Sequence, residues 1–350
     1  MAFRINEKAP AHAGQPTKSP SVSVIIPSLR GGSYLREAIA SVQSQTLKDW
    51  ELIIVLDGCE DDLSDIQQSD KRIRVFRQRK RGASIARNVG IGLVRSELIA
   101  FLDDDDRMLP DRLAAQSQAM GDATVGLCHT KCLDIDENGM PKRSRETDAA
   151  CTDGSGVPTS PVGVEGPQYR DFLRGDAGIV FSSVMVRGSL IRELGGFNPL
   201  LPVGEDLDLV YRVASENRIR LLSDALTEYR RHGSNTWSET TTTKEIRLVL
   251  MQHVLSAEAR GNAEDLRAAR IGLANLMSGR AVFAMRRARE AQLEGNYLKL
   301  LVAFAEAVLS SPRGSLRAAS RTIRHDMLGD RSIAALMRAL IYGRRAIEQP

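Results

Sequence analysis

Four consecutive carboxylates, Asp103 to Asp106, are the residues of this sequence best suited to chemistry. They directly follow the apolar run 98–102, LIAFL, which has the composition of a buried strand. Like charges about 4 Å apart repel by about 4 kcal/mol at an effective dielectric of about 20, so the cluster must face water or hold a cation. Alternate strand residues share a face, so Asp103 and Asp105 can reach one ion. Because Mg²⁺ takes one or two protein carboxylates together with substrate phosphates, the run predicts a divalent-cation site, with a solvated loop as the alternative.

Short apolar runs alternate with helical periodicity between Val22 and Leu113, which predicts an α/β fold. The predicted strands span residues 22–27, 50–57, 72–78 and 97–103, and the predicted helices span 33–46 and 82–94. Apolar strands separated by helices are typical of a mostly parallel sheet with helices on both faces. Ligands of such sheets bind beyond the carboxyl ends of the strands. Three of these ends carry Pro27-Ser28, Asp57-Gly58 and the acidic run, so we expect polar residues to converge on one edge.

The rest of the chain divides into a long loop and a helical region. Residues 139–167 are rich in Gly and Pro and predict a flexible loop, which is typical of a lid. A strand is predicted at 178–186, a helix near Leu190, and from residue 245 onward apolar residues recur at helical spacing. We therefore predict a loose tail at 1–20, an α/β domain at 21–240 and a helical C-terminal subdomain at 241–350.

Composition limits the class of protein. With 350 residues, 42% of them hydrophobic, the chain can bury a substantial core, and a formal net charge of +4 is too small to indicate a nucleic-acid partner. No run approaches the roughly eighteen apolar residues of a membrane span, and the N-terminal tail lacks the apolar core of a signal peptide. The four cysteines have no disulfide or metal-site spacing, so we expect reduced thiols in a cytoplasmic protein.

Positive charge is concentrated towards the C-terminus. Residues 280–350 contain thirteen Lys and Arg against six Asp and Glu. Arg313, Arg317, Arg321 and Arg324 recur every three or four residues, which places them near one face of a predicted helix. Each basic residue near an anionic membrane contributes about 1 kcal/mol, so these helices predict a peripheral position on the inner face of the cell membrane. A solvated face of a helical bundle is the alternative.

Seven short motifs, in order, make the chain resemble the family-2 glycosyltransferases of the GT-A fold. They are VSVIIPS, VQSQTLKDWELIIVLDG, GASIARNVGIG, LIAFLDDDDRMLPDRL, GGFN, GEDLDLVYRV and YRRHGSNTW, between Val22 and Trp237. The resemblance implies a Rossmann-like α/β domain that transfers a sugar with inversion from a nucleotide-diphosphate donor, using Mg²⁺ or Mn²⁺. It also implies a glycan or lipid-linked acceptor and a role in bacterial surface polysaccharide synthesis.

The resemblance implies roles for individual residues. Those that would bind the nucleotide-sugar are Pro27, Ser28, Asp57, Arg87, Asn88, Asp103, Asp104, Arg230 and Arg231. Asp57 would accept a hydrogen bond from the base, and Arg230 and Arg231 would face the diphosphate, which suits guanidinium groups. Asp105 would be the direct metal ligand, with Asp103 and His232 as further metal contacts. Asp106 belongs either to this loop or to a helix cap.

The same resemblance implies that Asp206, in the motif GEDLDLVYRV, is the general base, with the adjacent Glu205 as the second candidate. An inverting displacement needs one ionised carboxylate to take the proton of the acceptor hydroxyl. The start of a helix favours that ionised form through the helix dipole. A structural pair of acids at a helix N-terminus is the alternative.

Two other functions compete with a glycosyltransferase. A sugar-1-phosphate nucleotidyltransferase also uses a Rossmann-like sheet with acidic metal ligands, but it would carry a basic, Gly-rich phosphate loop just after the first strand. The stretch PSLRGGSYL lacks that signature. A non-catalytic sugar-binding relative would lack the metal acids or Asp206, and both are present.

Overall fold

The structure is a computed structural model that describes residues 19–142, 164–165, 169–201, 203–233 and 242–276, together with residues 299 and 302. The chain divides into two compact units. The first contains Met1–Glu165, Val180–Phe197 and Asn217–Arg231, and the second contains Gly166–Ile179, Asn198–Glu216 and His232–Pro350. Two segments from inside the predicted 21–240 domain therefore group with the residues after 231.

Among the described residues, the first unit is built on one nine-stranded sheet. Its strands are β1 (Val22–Ser28), β2 (Trp50–Asp57), β3 (Ile73–Gln78), β4 (Leu98–Phe101), β5 (Arg107–Met108), β6 (Val125–Ile135), β7 (Val164–Glu165), β8 (Val184–Arg187) and β9 (Arg218–Arg230). The strand order is β3-β2-β1-β4-β8-β6-β9-β5, with β7 paired to β9. The four strands β1 to β4 pair in parallel, as does β6 with β9, whereas β8, β5 and β7 pair antiparallel to their neighbours. The predicted α/β fold is confirmed. The continuous parallel part of the sheet consists of β1 to β4, because the next strand, β8, runs antiparallel to β4.

The helices have the following bounds: α1 (Gly32–Gln43), α2 (Ser64–Ser69), α3 (Ala83–Leu93), α4 (Arg112–Ala119), α5 (Tyr169–Arg174), α6 (Gly188–Glu193), α7 (Glu205–Ala214) and α8 (Thr242–Ala259). A further helix is described over 263–276. Helix α3 packs on β1 and β2. A Cβ atom at Gly90 of α3 would lie 2.6 Å from Cγ2 of Ile25, so glycine permits this close approach of helix and sheet.

The register of the parallel strands brings the predicted polar ends together. Ser28 of β1 lies beside Leu56 of β2, one residue before Asp57. Ile25 of β1 lies beside Phe101 of β4, so the acidic run follows at the same edge. The expected convergence of polar residues at the carboxyl ends of β1, β2 and β4 is therefore confirmed.

The second unit packs α5, α7 and α8 around an aromatic cluster. Ring centres lie 5.1 Å apart for Tyr211 and His253, 5.9 Å for Tyr169 and His253, and 6.0 Å for Phe172 and Tyr211. The hydroxyl of Tyr169 lies 2.9 Å from Nδ1 of His253, and the hydroxyl of Tyr211 donates to the carbonyl of Phe172 at 2.8 Å. The predicted helices after residue 241 are thus present as far as residue 276.

Several predictions concern residues outside the described part of the chain. They are the tail before residue 19, most of the 139–167 loop, Trp237, and the basic series Arg313, Arg317, Arg321 and Arg324. Within the described part, no helix combines the length and the apolar composition needed to cross a membrane. The lid and the membrane contact of the basic helices stay predictions.

Candidate active site

The four carboxylates after β4 do not share one environment. Asp103, Asp104 and Asp105 are half-buried, whereas Asp106 is 1% exposed. The N–H of Asp106 donates to the carbonyl of Asp103 at 3.2 Å, which closes a tight turn. The N–H of Asp103 donates to Oγ of Ser182 at 3.1 Å and fixes the start of that turn. Three acids thus reach the surface of the sheet edge, and the fourth belongs to the interior.

Helix α3 supplies the cation that faces the acidic turn. Arg87 is 5% exposed, and its Nη2 donates to Oδ1 of Asp103 at 2.6 Å. The centre of its guanidinium lies 5.1 Å from the ring centre of Phe181 and 5.4 Å from that of Phe197. The charge-assisted hydrogen bond and the aromatic faces together hold Asp103 in one orientation. The structure therefore brings two predicted nucleotide-binding residues into direct contact.

Asp57, at the end of β2, organises the loop that leads into α3. Its Oδ1 accepts hydrogen bonds from Nε2 of Gln78 and from the N–H of Arg81, both at 2.7 Å. Its Oδ2 accepts from the N–H of Gly82 at 2.8 Å. Gly82 has φ of 96°, which L residues rarely adopt, so glycine is required at the start of this helix. Asp57 thus fixes the entry to the helix that carries Arg87, and its contact with a base stays a prediction.

Ser28 and Asp104 form a second pair at this edge. The Oγ of Ser28 donates to Oδ2 of Asp104 at 2.5 Å and accepts from the N–H of Gly31 at 3.1 Å. Desolvation raises the pKa of Asp104 to about 6, the charges of Asp105 and Asp103 act in the same direction, and the Ser28 hydrogen bond opposes them. Pro27 lies one residue earlier in β1, beside Val55 of β2.

Arg230 is enclosed by the protein. It is 0% exposed, its Nη2 donates to Oε2 of Glu37 at 2.6 Å, and its Nε donates to the carbonyl of Asp105 at 2.8 Å. Its Nη1 donates to the carbonyl of Glu137 at 3.1 Å, and the guanidinium lies 4.3 Å from the ring centre of Tyr34. The resemblance implied that Arg230 contacts the diphosphate, but in the structure its N–H groups donate to Glu37 and to the backbone of the acidic turn. A phosphate contact would require these bonds to be exchanged.

Asp106 belongs to the same buried arrangement. Its Oδ1 accepts the N–H of Arg230 at 2.8 Å, so it joins the end of β9 to the acidic turn. Burial, together with the charges of Asp105 and Asp103, raises its pKa well above the ordinary value of an aspartate. It caps no helix: α4 begins after Asp111.

Arg231 is the more accessible member of the predicted diphosphate pair. Its side chain is 39% exposed, and its Nε donates to Oδ2 of Asp134 at 3.2 Å. Its guanidinium stacks 4.5 Å from the ring centre of Tyr229. Because Arg231 is partly exposed whereas Arg230 is enclosed, Arg231 can reach a phosphate more readily than Arg230 can.

Both the nitrogen and the oxygen of the Asn88 side-chain amide form hydrogen bonds with the protein backbone. Its Nδ2 donates to the carbonyl of Phe197 and its Oδ1 accepts the N–H of Phe197, both at 2.8 Å. A Cβ atom at Gly196 would lie 2.4 Å from that Oδ1, so the glycine at position 196 leaves room for the side chain of Asn88. The nucleotide contact of Asn88 stays a prediction. In the structure, the two hydrogen bonds of Asn88 position Phe197, whose ring centre lies 5.4 Å from the guanidinium of Arg87.

The candidate base lies on the second unit. Glu205 and Asp206 open α7, directly after Gly204, whose φ of 82° is left-handed. Glu205 is 8% exposed, and Asp206 is half-buried with its Oδ1 accepting the N–H of Leu207 at 2.7 Å. The predicted metal contact His232 also belongs to this unit and is half-buried. Of the two acids, Asp206 is the more accessible.

The acidic turn offers carboxylate oxygens to a cation. In the described part of the chain, no group of three or more His, Cys, Asp and Glu side chains is arranged to hold a metal ion. Asp103 and Asp105 lie in the turn after β4, which ends at Phe101, and not at alternate positions of a strand as the sequence predicted. They still supply the one or two carboxylates that Mg²⁺ or Mn²⁺ takes when phosphate oxygens and water complete its shell. The donor set therefore fits the predicted ion.

Two residues of this edge were missed by sequence reasoning. Ser182, which accepts the Asp103 N–H, sits in a 3₁₀ turn at Phe181–Ser183, where the apolar run 178–186 predicted only strand. Glu37 on α1 pairs with Arg230 across 193 residues of sequence. Neither contact has a local signal, because both partners come from distant elements.

Comparison with known proteins finds similarity to glycosyltransferases. Residues 23–173 match the model of glycosyl transferase family 2. An uncharacterized glycosyltransferase of Rickettsia felis is 40% identical over 121 residues, which are 34% of this chain and 20% of that protein. The GalNAc(5)-diNAcBac-PP-undecaprenol beta-1,3-glucosyltransferase of Campylobacter jejuni is 34% identical over 131 residues, which are 35% of this chain and 41% of that protein. This chain therefore spans less than half the length of either relative.

A solved structure shares the fold. S. aureus TarS 1-349 in complex with UDP-GlcNAc superposes with a TM-score of 0.52 at 17% identity, covering 84% of this chain and 92% of the TarS chain. At this level of identity the likeness concerns the fold alone.

Proposed function

The chain contains a family-2 glycosyltransferase domain of the GT-A fold, and on that premise we propose that it transfers a sugar, with inversion, from a nucleotide-diphosphate donor to a glycan or lipid-linked acceptor. The observation that carries the proposal is the contact between Arg87 and Asp103 beside the Ser28–Asp104 pair. It arranges acids and a cation at the carboxyl edge of β1 and β4, where α/β sheets bind their ligands.

The donor would lie along this edge. Asp57 and Ser28 stand at the ends of β2 and β1, where a base and its ribose can be recognised through polar contacts. Arg231 would meet the diphosphate, since Arg230 is committed to Glu37 and to the acidic turn. Mg²⁺ or Mn²⁺ held by Asp105 and Asp103 would neutralise charge on the departing nucleoside diphosphate.

Asp206 would act as the general base. An ionised carboxylate that takes the proton of the acceptor hydroxyl makes that oxygen a nucleophile as the bond from the sugar to the diphosphate breaks. Asp206 lies at the first turn of α7, where the helix dipole favours its ionised form. Glu205, being more deeply buried, is the second candidate.

One relative supports the class of acceptor, and a structural neighbour supports the class of donor. The Campylobacter protein carries an undecaprenol-linked glycan in its name, and TarS was determined with UDP-GlcNAc. On this basis we extend the proposal to a lipid-linked or polymeric glycan acceptor in bacterial surface polysaccharide synthesis.

The metal-dependent step can be tested at Asp105. Purified protein is incubated with UDP-, GDP- and dTDP-sugars and Mn²⁺, and release of nucleoside diphosphate is followed. Asp105→Ala is expected to lower the rate at least about a hundredfold, which is typical for loss of one preorganised electrostatic group, without shifting the thermal midpoint. Asp65→Ala, at an exposed acid of α2, is the matched control and should leave the rate unchanged.

Two outcomes would contradict the proposal. Wild-type turnover that persists in a chelator, or that survives Asp105→Ala, would remove the metal from the reaction. Release of pyrophosphate from a nucleoside triphosphate and a sugar phosphate would instead identify a nucleotidyltransferase.

A further inference from the structure

Helix α8 exposes an apolar stripe. Leu248, Met251 and Leu255 are 53%, 39% and 64% exposed. Their spacing of three and four residues places them on one side of the helix. The opposite side is buried within the second unit, through Val249, Leu250, His253 and Ala257. An amphipathic helix normally turns its apolar side inward, so a second apolar stripe on the solvent side indicates a partner.

The two edges of the stripe carry different side chains. Arg247 and Glu258 are both exposed and stand eleven residues apart, which is about 20° around a helix of about 3.6 residues per turn. They therefore lie on the same edge. The other edge carries the uncharged residues Gln252 and Ala259.

We propose that a second copy of this chain covers the stripe, by antiparallel, two-fold symmetric pairing of α8 with α8. A two-fold axis near Met251 places Leu248 of one copy opposite Leu255 of the other and brings the two Met251 side chains together. Such an axis also sets equal edges against each other, so Arg247 meets Glu258 of the other copy within about one helical turn. The stripe and its charged edge are thus complementary to themselves.

The charges favour this partner over a membrane. Helices that lie on anionic membranes flank their apolar side with Lys and Arg. Here the charged edge carries both signs, and Glu258 would face lipid headgroups of its own sign. Because each copy contributes only three apolar side chains, we expect a weak pair that depends on concentration rather than a permanent dimer.

The test is sedimentation velocity of the full chain over a wide range of concentrations. The wild type is expected to shift from monomer to dimer as concentration rises. Leu255→Glu should raise the dimer dissociation constant at least about tenfold, because it places a charge against Leu248 of the other copy. Arg247→Glu and Glu258→Arg should each weaken the pair, since each sets like charges opposite each other. The double variant Arg247→Glu/Glu258→Arg should restore it.

Lys71→Glu, the same charge change at an exposed site of the first unit, is the matched control and should have no effect. Thermal midpoints check that each variant folds. If Leu255→Glu does not fold, the variants of Arg247 and Glu258 still test the proposal. A wild type that stays monomeric at every concentration would overturn the proposal. So would a double variant that pairs no better than the single ones, or a monomer that floats with anionic vesicles and loses that binding in Leu255→Glu.

Discussion

Two acidic stretches, Asp103–Asp106 in the first unit and Glu205–Asp208 in the second, divide their carboxylates in the same way. One acid of each stretch is 1% exposed and serves the fold: Asp106 accepts the N–H of Arg230, and Asp208 accepts from Nε of Arg212 at 2.9 Å. The candidate functional acids, Asp105 and Asp206, are half-buried. Both stretches therefore combine an internal anchor with a carboxylate at the surface.

The two anchors differ in the distance to their partners along the chain. Asp208 and Arg212 are four residues apart on one helix, a spacing at which opposite charges are neighbours. Asp106 and Arg230 are 124 residues apart and meet only because β9 is folded into the sheet. A local anchor can be read from the sequence, whereas a distant one requires the whole fold. Mutations in the two stretches can test this division of roles.

The largest effect is expected for Arg230→Ala. Removing a fully buried guanidinium that pairs with Glu37 should lower the free energy of unfolding by about 3 kcal/mol, at the low end for a broken buried pair because Glu37 is partly exposed. Chemical denaturation would measure the change. Arg231→Ala, at its partly exposed neighbour, should cost about 1 kcal/mol, because it removes one hydrogen bond to Asp134, and should also weaken donor binding. Equal losses of stability in the two variants would show that Arg230 contributes no more to the stability of the fold than Arg231 does.

The next effect concerns chemistry. Asp206→Asn preserves shape but cannot accept a proton, so the transfer rate should fall by about a hundredfold or more. Donor affinity, measured by calorimetry, should stay within a few-fold, because the proposed donor contacts lie on the first unit. If Asp206→Asn transfers sugar normally while Glu205→Gln does not, the base is Glu205.

A smaller effect on stability is expected for Asp208→Asn. The substitution removes the charge-assisted hydrogen bond from Arg212 and should cost about 1–2 kcal/mol of unfolding free energy, with the transfer rate nearly unchanged. Glu216→Gln, at an exposed acid just after α7, is the control and should stay within about 0.5 kcal/mol. A large loss of transfer rate without a loss of stability would show that Asp208 acts in the active site and does not serve as an anchor of the fold.

The last effect is a dependence of stability on pH at His253, whose pKa responds to burial and to the charge of Asp208. Burial lowers the pKa of His253 from 6.5 to about 4; the charge of Asp208 opposes this, and those of Arg260 and Arg212 add to it. Between these two values the unfolded state therefore binds more protons at this site, so the contribution of His253 to stability should be complete above about pH 6.5 and be lost as the pH drops towards 4. Denaturation curves across this range would measure the slope.

The difference in unfolding free energy between the wild type and His253→Gln should therefore grow as the pH rises from about 4 to 6.5. Burial also lowers the pKa of His129 to about 4, which acts in the same direction, and the raised pKa values of Asp104 and Asp106 act in the opposite one. These groups are present in both proteins, so the comparison isolates His253. An unchanged slope in His253→Gln would show that His253 does not titrate on unfolding.

The sequence by itself determined β1 to β4, α1 and α3, with ends within about three residues of those in the structure, whereas the long strands β6 and β9 were not predicted. Apolar strands separated by amphipathic helices have a strong local signal, and parallel order puts their carboxyl ends on one edge, so Ser28, Asp57 and Asp103 could be brought together before the structure. The motif order likewise predicted the resemblance to family-2 glycosyltransferases, and residues 23–173 match the model of that family. The positions of Glu205 and Asp206 at a helix start follow from their place before an apolar run.

Only the tertiary structure decided what each polar side chain contacts. Arg230, expected on the diphosphate, is buried behind the acidic turn, and Asn88, expected at the nucleotide, holds the backbone of Phe197. Asp106 anchors β9 instead of capping a helix. In each case the partner lies more than a hundred residues away, and its position depends on how sheet and helices pack. Sequence spacing reports neighbours along a strand or helix, whereas burial and long-range pairing arise only when distant elements meet.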